Sequence, residues 1–223
     1  MDLSTLTYNE GLEIGYSRVG ALSLDALNDF DDIKELKIKY PQAKALIIGV
    51  WHYNFYKIPE ELKEIASKRK LFKGRYLEGS DEKNTAKDFE EFFKEHKIKA
   101  IDVFHLSQDI KYKIGEKMEI GLVRKNGFFY TEEGSYCRLH AWLLDENITW
   151  QAKEAPDPCP GHCSICIRTC PQQALDKGYS KDHSKCIDSV SQDPIKGCDI
   201  CQDNCPYNKH RWAYEEEFIT LDY

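Results

Sequence analysis

The sequence predicts an α/β (α+β) domain followed by a much smaller cysteine-rich module. Three observations predict it. Helical and strand periodicities mix through the first ~155 residues. Eight of the nine cysteines fall between Cys159 and Cys205, leaving only Cys137 outside. The stretch Glu154-Ala-Pro-Asp-Pro-Cys-Pro160 places three prolines in seven residues, which breaks helix and strand alike. The expected organisation is therefore residues 1–155, 156–210 and a tail, 211–223. A module near 55 residues is too small to rely on its apolar core and needs staples or metals.

Within the first domain, Leu27, Phe30, Ile33, Leu36 and Ile38 recur near helical period, predicting a helix from Asp25 to Tyr40 that stops at Pro41. Ala45–Trp51 is a continuous apolar run, predicting a strand covered on both faces. Pro59 opens a short helix to Lys68. Ser80 caps a helix running to His96, with Phe89, Phe92 and Phe93 on one side. Ala100–Phe104 is a second buried-strand candidate, and Asp109–Glu119 reads as helix. Gly127–Tyr130 and Tyr136–Leu144, joined through Glu132-Glu-Gly134, read as a hairpin. Gly11, Gly15 and Gly20 have the wrong spacing for a dinucleotide fingerprint, and no Gly-Lys-Ser/Thr occurs.

Composition narrows the function classes. The 223 residues hold 41% hydrophobic and 12% aromatic side chains, which excludes general disorder. Lys and Arg total 31 against 38 Asp and Glu, a net charge of −7, giving no global electrostatic reason to bind nucleic acid. No run approaches the ~18 apolar residues of a membrane span, so no membrane partner is expected. The N-terminus lacks a basic region followed by an apolar one, and the expected location is the cytoplasm, where thiols stay reduced. Nine cysteines there call for a metal or redox explanation.

The first group reads Cys159-Pro-Gly-His-Cys163-Ser-Ile-Cys166-Ile-Arg-Thr-Cys170-Pro171. The second is Cys186, then Cys198-Asp-Ile-Cys201-Gln-Asp-Asn-Cys205-Pro206. Both end in Cys-x2-Cys-x3-Cys-Pro. In two-cluster ferredoxins, three closely spaced thiolates grip one iron–sulfur cube and the cysteine before proline ligates the other. Crossed assignment gives Cys159, Cys163, Cys166 and Cys205 to one [4Fe–4S] cluster, and Cys170, Cys186, Cys198 and Cys201 to the second. The module is therefore read as ferredoxin-like. Three residues separate Cys159 from Cys163, and eleven separate Cys186 from Cys198, so the simple spacing is stretched twice. The alternatives are two zinc sites of four thiolates each, for which paired Cys-x2-Cys knuckles would be usual, and a disulfide framework.

These segments resemble the epoxyqueuosine reductase family, cobalamin-dependent iron–sulfur enzymes related to reductive dehalogenases. The strongest likeness runs through Cys163–Leu175, His183–Ile187 and Gly197–Asn208; weaker likeness runs through Gly11–Gly20, Gly121–Asn126 and Gly134–Asp145, in family order. The resemblance implies an N-terminal domain holding a corrinoid against the cluster module. Electrons would pass from an external donor of ferredoxin or flavodoxin type through both clusters to cobalt, which reduces the substrate. It also implies corrinoid contacts at Lys125, Asn126 and Ser135, with a plain turn as the alternative for Lys125-Asn126.

Three features depart from the family pattern. His105 stands where the family has its proposed proton-donating aspartate; imidazole can donate near neutral pH, and Asp102 nearby would restore a carboxylate. The plainer reading of His105 is a packed or hydrogen-bonded histidine at a strand end. Arg124 replaces a glycine of the family's Gly-Trp-apolar-Gly-Lys loop. Full-length members continue into a helical-repeat domain that helps hold transfer RNA, whereas this chain ends at Tyr223. With the net charge of −7, that argues against tRNA and for a small-molecule substrate.

His162 and His183 read as tuning or surface groups, because eight thiolates already fill two cubes. Cys137 reads as a small buried strand residue. Lys68-Arg-Lys70 with Lys73 and Arg75 reads as a solvated basic patch. The sequence thus carries two functions: a corrinoid-dependent iron–sulfur reductase, or a non-enzymatic ferredoxin-like electron-transfer protein, of which a reductive activator of a partner's corrinoid is one form.

Overall fold

The computed structural model of the protein describes residues 2–52, 79–150, 159–175, 178–190, 198 and 200–208. The expected helix at residues 59–68 and the basic patch at 68–75 lie outside these residues. The chain divides into two compact units that interleave in sequence. Unit one takes Met1–His52, Ser80–Leu122 and Cys137–Asp157; unit two takes Tyr53–Gly79, Val123–Tyr136 and Pro158–Tyr223. Among the described residues no helix is long and apolar enough to cross a membrane.

Unit one is built on a four-stranded antiparallel sheet. Its strands are β1 (Arg18–Ser23), β2 (Ala45–His52), β3 (Ala100–Asp102) and β6 (Cys137–Leu144), in the order β1-β2-β6-β3. The central strand β2 is buried along Ala45–Trp51, as its unbroken apolar run requires. It pairs in register with β6 from Ala45↔Leu144 to His52↔Cys137. The free edge of β1 is partly covered by Trp150, which exchanges two backbone hydrogen bonds with Ala21 at 2.7 and 2.8 Å. Trp150 in turn stacks on Tyr8 of α1 (Leu3–Glu13).

Helices α1 and α3 (Gly79–Glu95) cover one face. A Cβ at Gly11 of α1 would lie 2.6 Å from Val19 Cγ2 and 3.4 Å from Phe89, so the missing side chain sets this close approach. Phe89, Phe92 and Phe93 are buried, as the sequence expected. Their rings cluster with Tyr16 and Trp142. The opposite face receives Met118 and Ile120, which follow α4 (Gln108–Lys117) and pack onto Gly20. Ser107 caps α4 by accepting from the Ile110 N–H at 3.3 Å.

Several boundaries differ from expectation. The Asp25–Tyr40 helix is broken in two: a 3₁₀ turn, Leu24–Leu27, capped by Ser23, and α2, Asp31–Lys39. Extended Phe30, with φ −100° and ψ 120°, separates them. Ser80 lies inside α3 rather than capping it. The strand at 100–104 is a three-residue edge strand, not a buried one: Asp102 is exposed and Phe104 is 78% exposed. The expected hairpin does not form. Instead β5 (Phe129–Tyr130) pairs with β4 (Leu122–Val123), while β6 joins the large sheet. The tight Thr131↔Gly134 bridge, with Gly134 at φ 108°, turns the chain away. β6 offers eight residues that match β2 in length and apolar content, which a two-residue β5 cannot rival.

In unit two, α5 (Ile165–Thr169) and α7 (Ile200–Asp203) pack together, and α6 (Ile187–Val190) follows Cys186. Segment 123–136 is fastened to them. Tyr179 N–H donates to Lys125 O at 3.1 Å, and a Cβ at Gly127, which has φ +75°, would meet the Ser180–Lys181 backbone at 3.3 Å.

Candidate functional site

All nine cysteines carry thiols rather than disulfides, so the disulfide framework is not formed. Cys137 is buried in β6, as read from its strand pattern. Among the described residues, no group of three or more His, Cys, Asp or Glu side chains is gathered to hold a single metal ion. The other eight cysteines fall into two neighbourhoods. Around Cys166, 8% exposed, burial pushes the thiol up to about 11, reinforced by the negative charge that Cys205, Cys159 and Cys163 carry when ionised nearby. The second neighbourhood is a cavity lined by Cys170, Cys186, Cys198 and Cys201 together with Leu175 and Ile187.

Backbone and side-chain donors reach the sulfurs. Ala174 N–H donates to Cys170 Sγ at 3.3 Å. Arg124 Nη1 lies 3.9 Å from Cys159 Sγ. Tyr130 is fully buried, and burial together with the facing Cys205 thiol keeps its hydroxyl protonated well above the usual phenol range. Four thiolates, a low-polarity setting and N–H or O–H donors to sulfur form a donor set that suits an iron–sulfur cube in each neighbourhood.

The three residues expected to touch a corrinoid are engaged within unit two. Lys125 Nζ donates to the carbonyls of Pro160, Gly161 and Cys163 at 2.8–3.0 Å, using all three of its protons to hold the first cysteine loop. Asn126 Nδ2 donates to Tyr130 Oη at 2.7 Å and to Cys201 O at 3.3 Å. Ser135 Oγ accepts from Gln202 Nε2 at 2.9 Å and Asn208 Nδ2 at 3.1 Å, in a network that is buried throughout. Its backbone N–H donates to Asn208 Oδ1 at 3.1 Å. These contacts position the cysteine loops.

Unit one contains a separate cleft of about 370 Å³, lined by Asp102, Phe104, Gln108, Lys111, Arg138, His140 and Trp142 among others. Asp102 belongs to it; His105 does not line it. His105 is exposed in the turn before α4, its ring edge-on to that of exposed Phe104, so it is not packed at a strand end. His162 and His183 are exposed, as expected of surface groups.

The sequence reading missed His140. Tyr16 Oη lies 2.8 Å from its Nδ1. This contact exists because Gly49, opposite His140 in register, leaves room for the Tyr16 ring: an added Cβ would lie 2.7 Å from it. The available signal was the alternation of Arg138, His140 and Trp142 along one strand face.

No protein-family profile matches the chain. An epoxyqueuosine reductase from Leadbetterella byssophila is 32% identical over 212 residues, covering 85% of this chain and 67% of its own length. This chain belongs to the epoxyqueuosine reductase family. The match to the epoxyqueuosine reductase of Cellulophaga algicola is 29% identical over 120 residues, and spans 39% of that enzyme's length. Among solved structures, an epoxyqueuosine reductase in complex with an epoxyqueuosine-modified tRNA-Tyr stem loop aligns with a TM-score of 0.66 at 20% identity, over 93% of this chain and 66% of the other. That likeness shows a shared fold. Net charge is a whole-chain sum whereas nucleic acid is bound by a local surface, so the value of −7 does not by itself decide against tRNA.

Proposed function

We propose that the chain is an iron–sulfur oxidoreductase of the epoxyqueuosine reductase type, in which two [4Fe–4S] clusters relay single electrons to a substrate. The observation that supports it most is the grouping of eight thiols into the two crossed quartets: Cys159, Cys163, Cys166 and Cys205 by their mutual electrostatics, and Cys170, Cys186, Cys198 and Cys201 around one cavity. When bound, the clusters accept and release one electron each, and family membership implies a cobalamin beyond them. The chain's own part is to hold the thiolates through Lys125, Asn126 and the Ser135–Gln202–Asn208 network, and to exclude water around them.

The substrate class that the relatives' name suggests is an epoxide-bearing tRNA nucleoside. Removing an epoxide oxygen consumes two electrons and two protons and releases water, so two one-electron carriers match the stoichiometry. We assign the proton delivery to Asp102, which lines the unit-one cleft, in preference to His105, which does not. Because the matches span about two fifths of the first curated relatives, tRNA reduction is tested directly.

The protein is purified and reconstituted without oxygen, then supplied with cob(II)alamin, a ferredoxin- or flavodoxin-type donor and epoxyqueuosine-bearing tRNA, and the nucleosides are analysed. About eight irons and a broad band near ~400 nm with queuosine formed support the reading. About two zincs and no such band overturn it. Full iron loading with no product, with or without cobalamin, moves the assignment to the electron-transfer protein, which family membership does not favour.

A further inference from the structure

We propose that Arg124 is a positioning residue that sets the redox potential of the cluster at Cys159, Cys163, Cys166 and Cys205, holding it above the value the same cluster would have beside a neutral side chain. The proposal rests on the reading that this quartet holds a cluster.

The geometry is specific. The Arg124 side chain is 3% exposed. Its guanidinium lies 4.3 Å from the ring centre of Tyr207 and 5.1 Å from that of Tyr130, and Nη1 is 3.9 Å from Cys159 Sγ. Both rings present their electron-rich faces to the cation, which suits a planar guanidinium and not a hydrated ammonium. Tyr130 then continues from the cation to the quartet's last ligand, Cys205, while Asn126 fixes its hydroxyl from behind at 2.7 Å. One buried cation and one buried hydroxyl therefore reach two of the four sulfurs.

The physical consequence has a definite sign. A cube with four thiolates is already negative, and reduction adds one more negative charge. A guanidinium stays protonated at every working pH, so its charge is constant. Out of water its field is weakly screened and favours the reduced state, which raises the potential. The second quartet is served differently. Lys181 lines its cavity, but it is half-buried and its ammonium sits 4.5 Å over the Phe128 ring, nearer to water. The two clusters should therefore differ in potential, with the Cys159 quartet the more easily reduced.

The test uses the full chain, reconstituted without oxygen, with iron counted first and the potentials then measured by dithionite titration followed by electron paramagnetic resonance. The wild type should show two one-electron steps. Arg124→Gln, which removes the charge and keeps a polar side chain, should move one step to more negative potential and leave the other in place. Arg124→Lys should give an intermediate shift. In a Cys186→Ala background the step that persists should be the one that responds to Arg124. No movement in a fully loaded Arg124→Gln, or equal movement of both steps, overturns the proposal. Should Arg124→Gln bind less iron, the Lys variant carries the test, and an unmoved step in a fully loaded Arg124→Lys overturns it. A wild type that binds no clusters overturns the cluster reading itself, and the iron count separates that failure from an error about Arg124.

Discussion

Replacing Gly49 by alanine tests how unit one builds its cleft. Alanine is ordinarily the better residue inside a strand, by roughly 0.5–1 kcal/mol. Here its Cβ would stand 2.7, 2.8 and 2.9 Å from three ring carbons of Tyr16. Relief to an ordinary contact needs a shift of about 1 Å. The ring is not free to make it: it is 2% exposed, packs against Phe89 and Trp142, and ends in the contact with His140 Nδ1 at 2.8 Å. Overpacking costs about 1–3 kcal/mol, and loss of the hydrogen bond adds about 0.5–1.5 kcal/mol. The clash therefore outweighs the propensity gain, and we expect Gly49→Ala to destabilise by roughly 1–3 kcal/mol net. Urea unfolding followed by tryptophan fluorescence measures it, with the slope of the transition expected to stay constant. In a Tyr16→Ala background the same substitution should cost nothing and instead recover the gain of roughly 0.5–1 kcal/mol, since its obstacle is gone. A loss below about 0.5 kcal/mol, or an equal loss in both backgrounds, would refute the account.

Two further outcomes are expected. Ser135→Ala removes the oxygen that accepts from buried Gln202 and Asn208. Each amide nitrogen keeps one other bond, so the cost should be about 1–3 kcal/mol, with faster iron loss to a chelator from the reconstituted protein; unchanged stability and release would show the network to be incidental. In the reduced, metal-free protein Cys166 should alkylate slowly at neutral pH, with its rate rising as pH climbs towards about 11, because burial and then the thiolates of Cys205, Cys159 and Cys163 penalise its ionised form. Removing one of those charges with Cys205→Ser should bring the rise to lower pH. Labelling by iodoacetamide read by mass spectrometry checks both, and a Cys166 that labels like an ordinary exposed thiol would contradict the grouping.

What the sequence made legible was local. The run Ala45–Trp51 announced a strand buried on both sides, and Phe89, Phe92 and Phe93 announced a buried helix face, because burial follows directly from apolar content and period. Less legible were endings and partners. Phe30 looked like one more apolar helical residue, yet it adopts extended backbone and splits the helix in two. Phe104 looked like core and is exposed, because the edge strand ends two residues earlier. The hairpin failed for a non-local reason: β6 had a better partner in β2, almost ninety residues earlier in the chain. His140 stayed hidden because its significance depends on Gly49 and Tyr16, which meet it only after the sheet has formed.

By itself the sequence suggested which thiols belong together, through its likeness to the cysteine spacing of two-cluster ferredoxins. It also determined the family, through the order of segments across most of the chain. Only the tertiary structure decided what surrounds those sulfurs. Segment 123–136 reads as part of the first domain, yet it belongs to the unit with the cysteines and supplies Arg124, Lys125, Asn126, Tyr130 and Ser135 to them. The reason is that these residues act through hydrogen bonds and charge, which reach a few ångströms in space and leave no period or spacing along the chain.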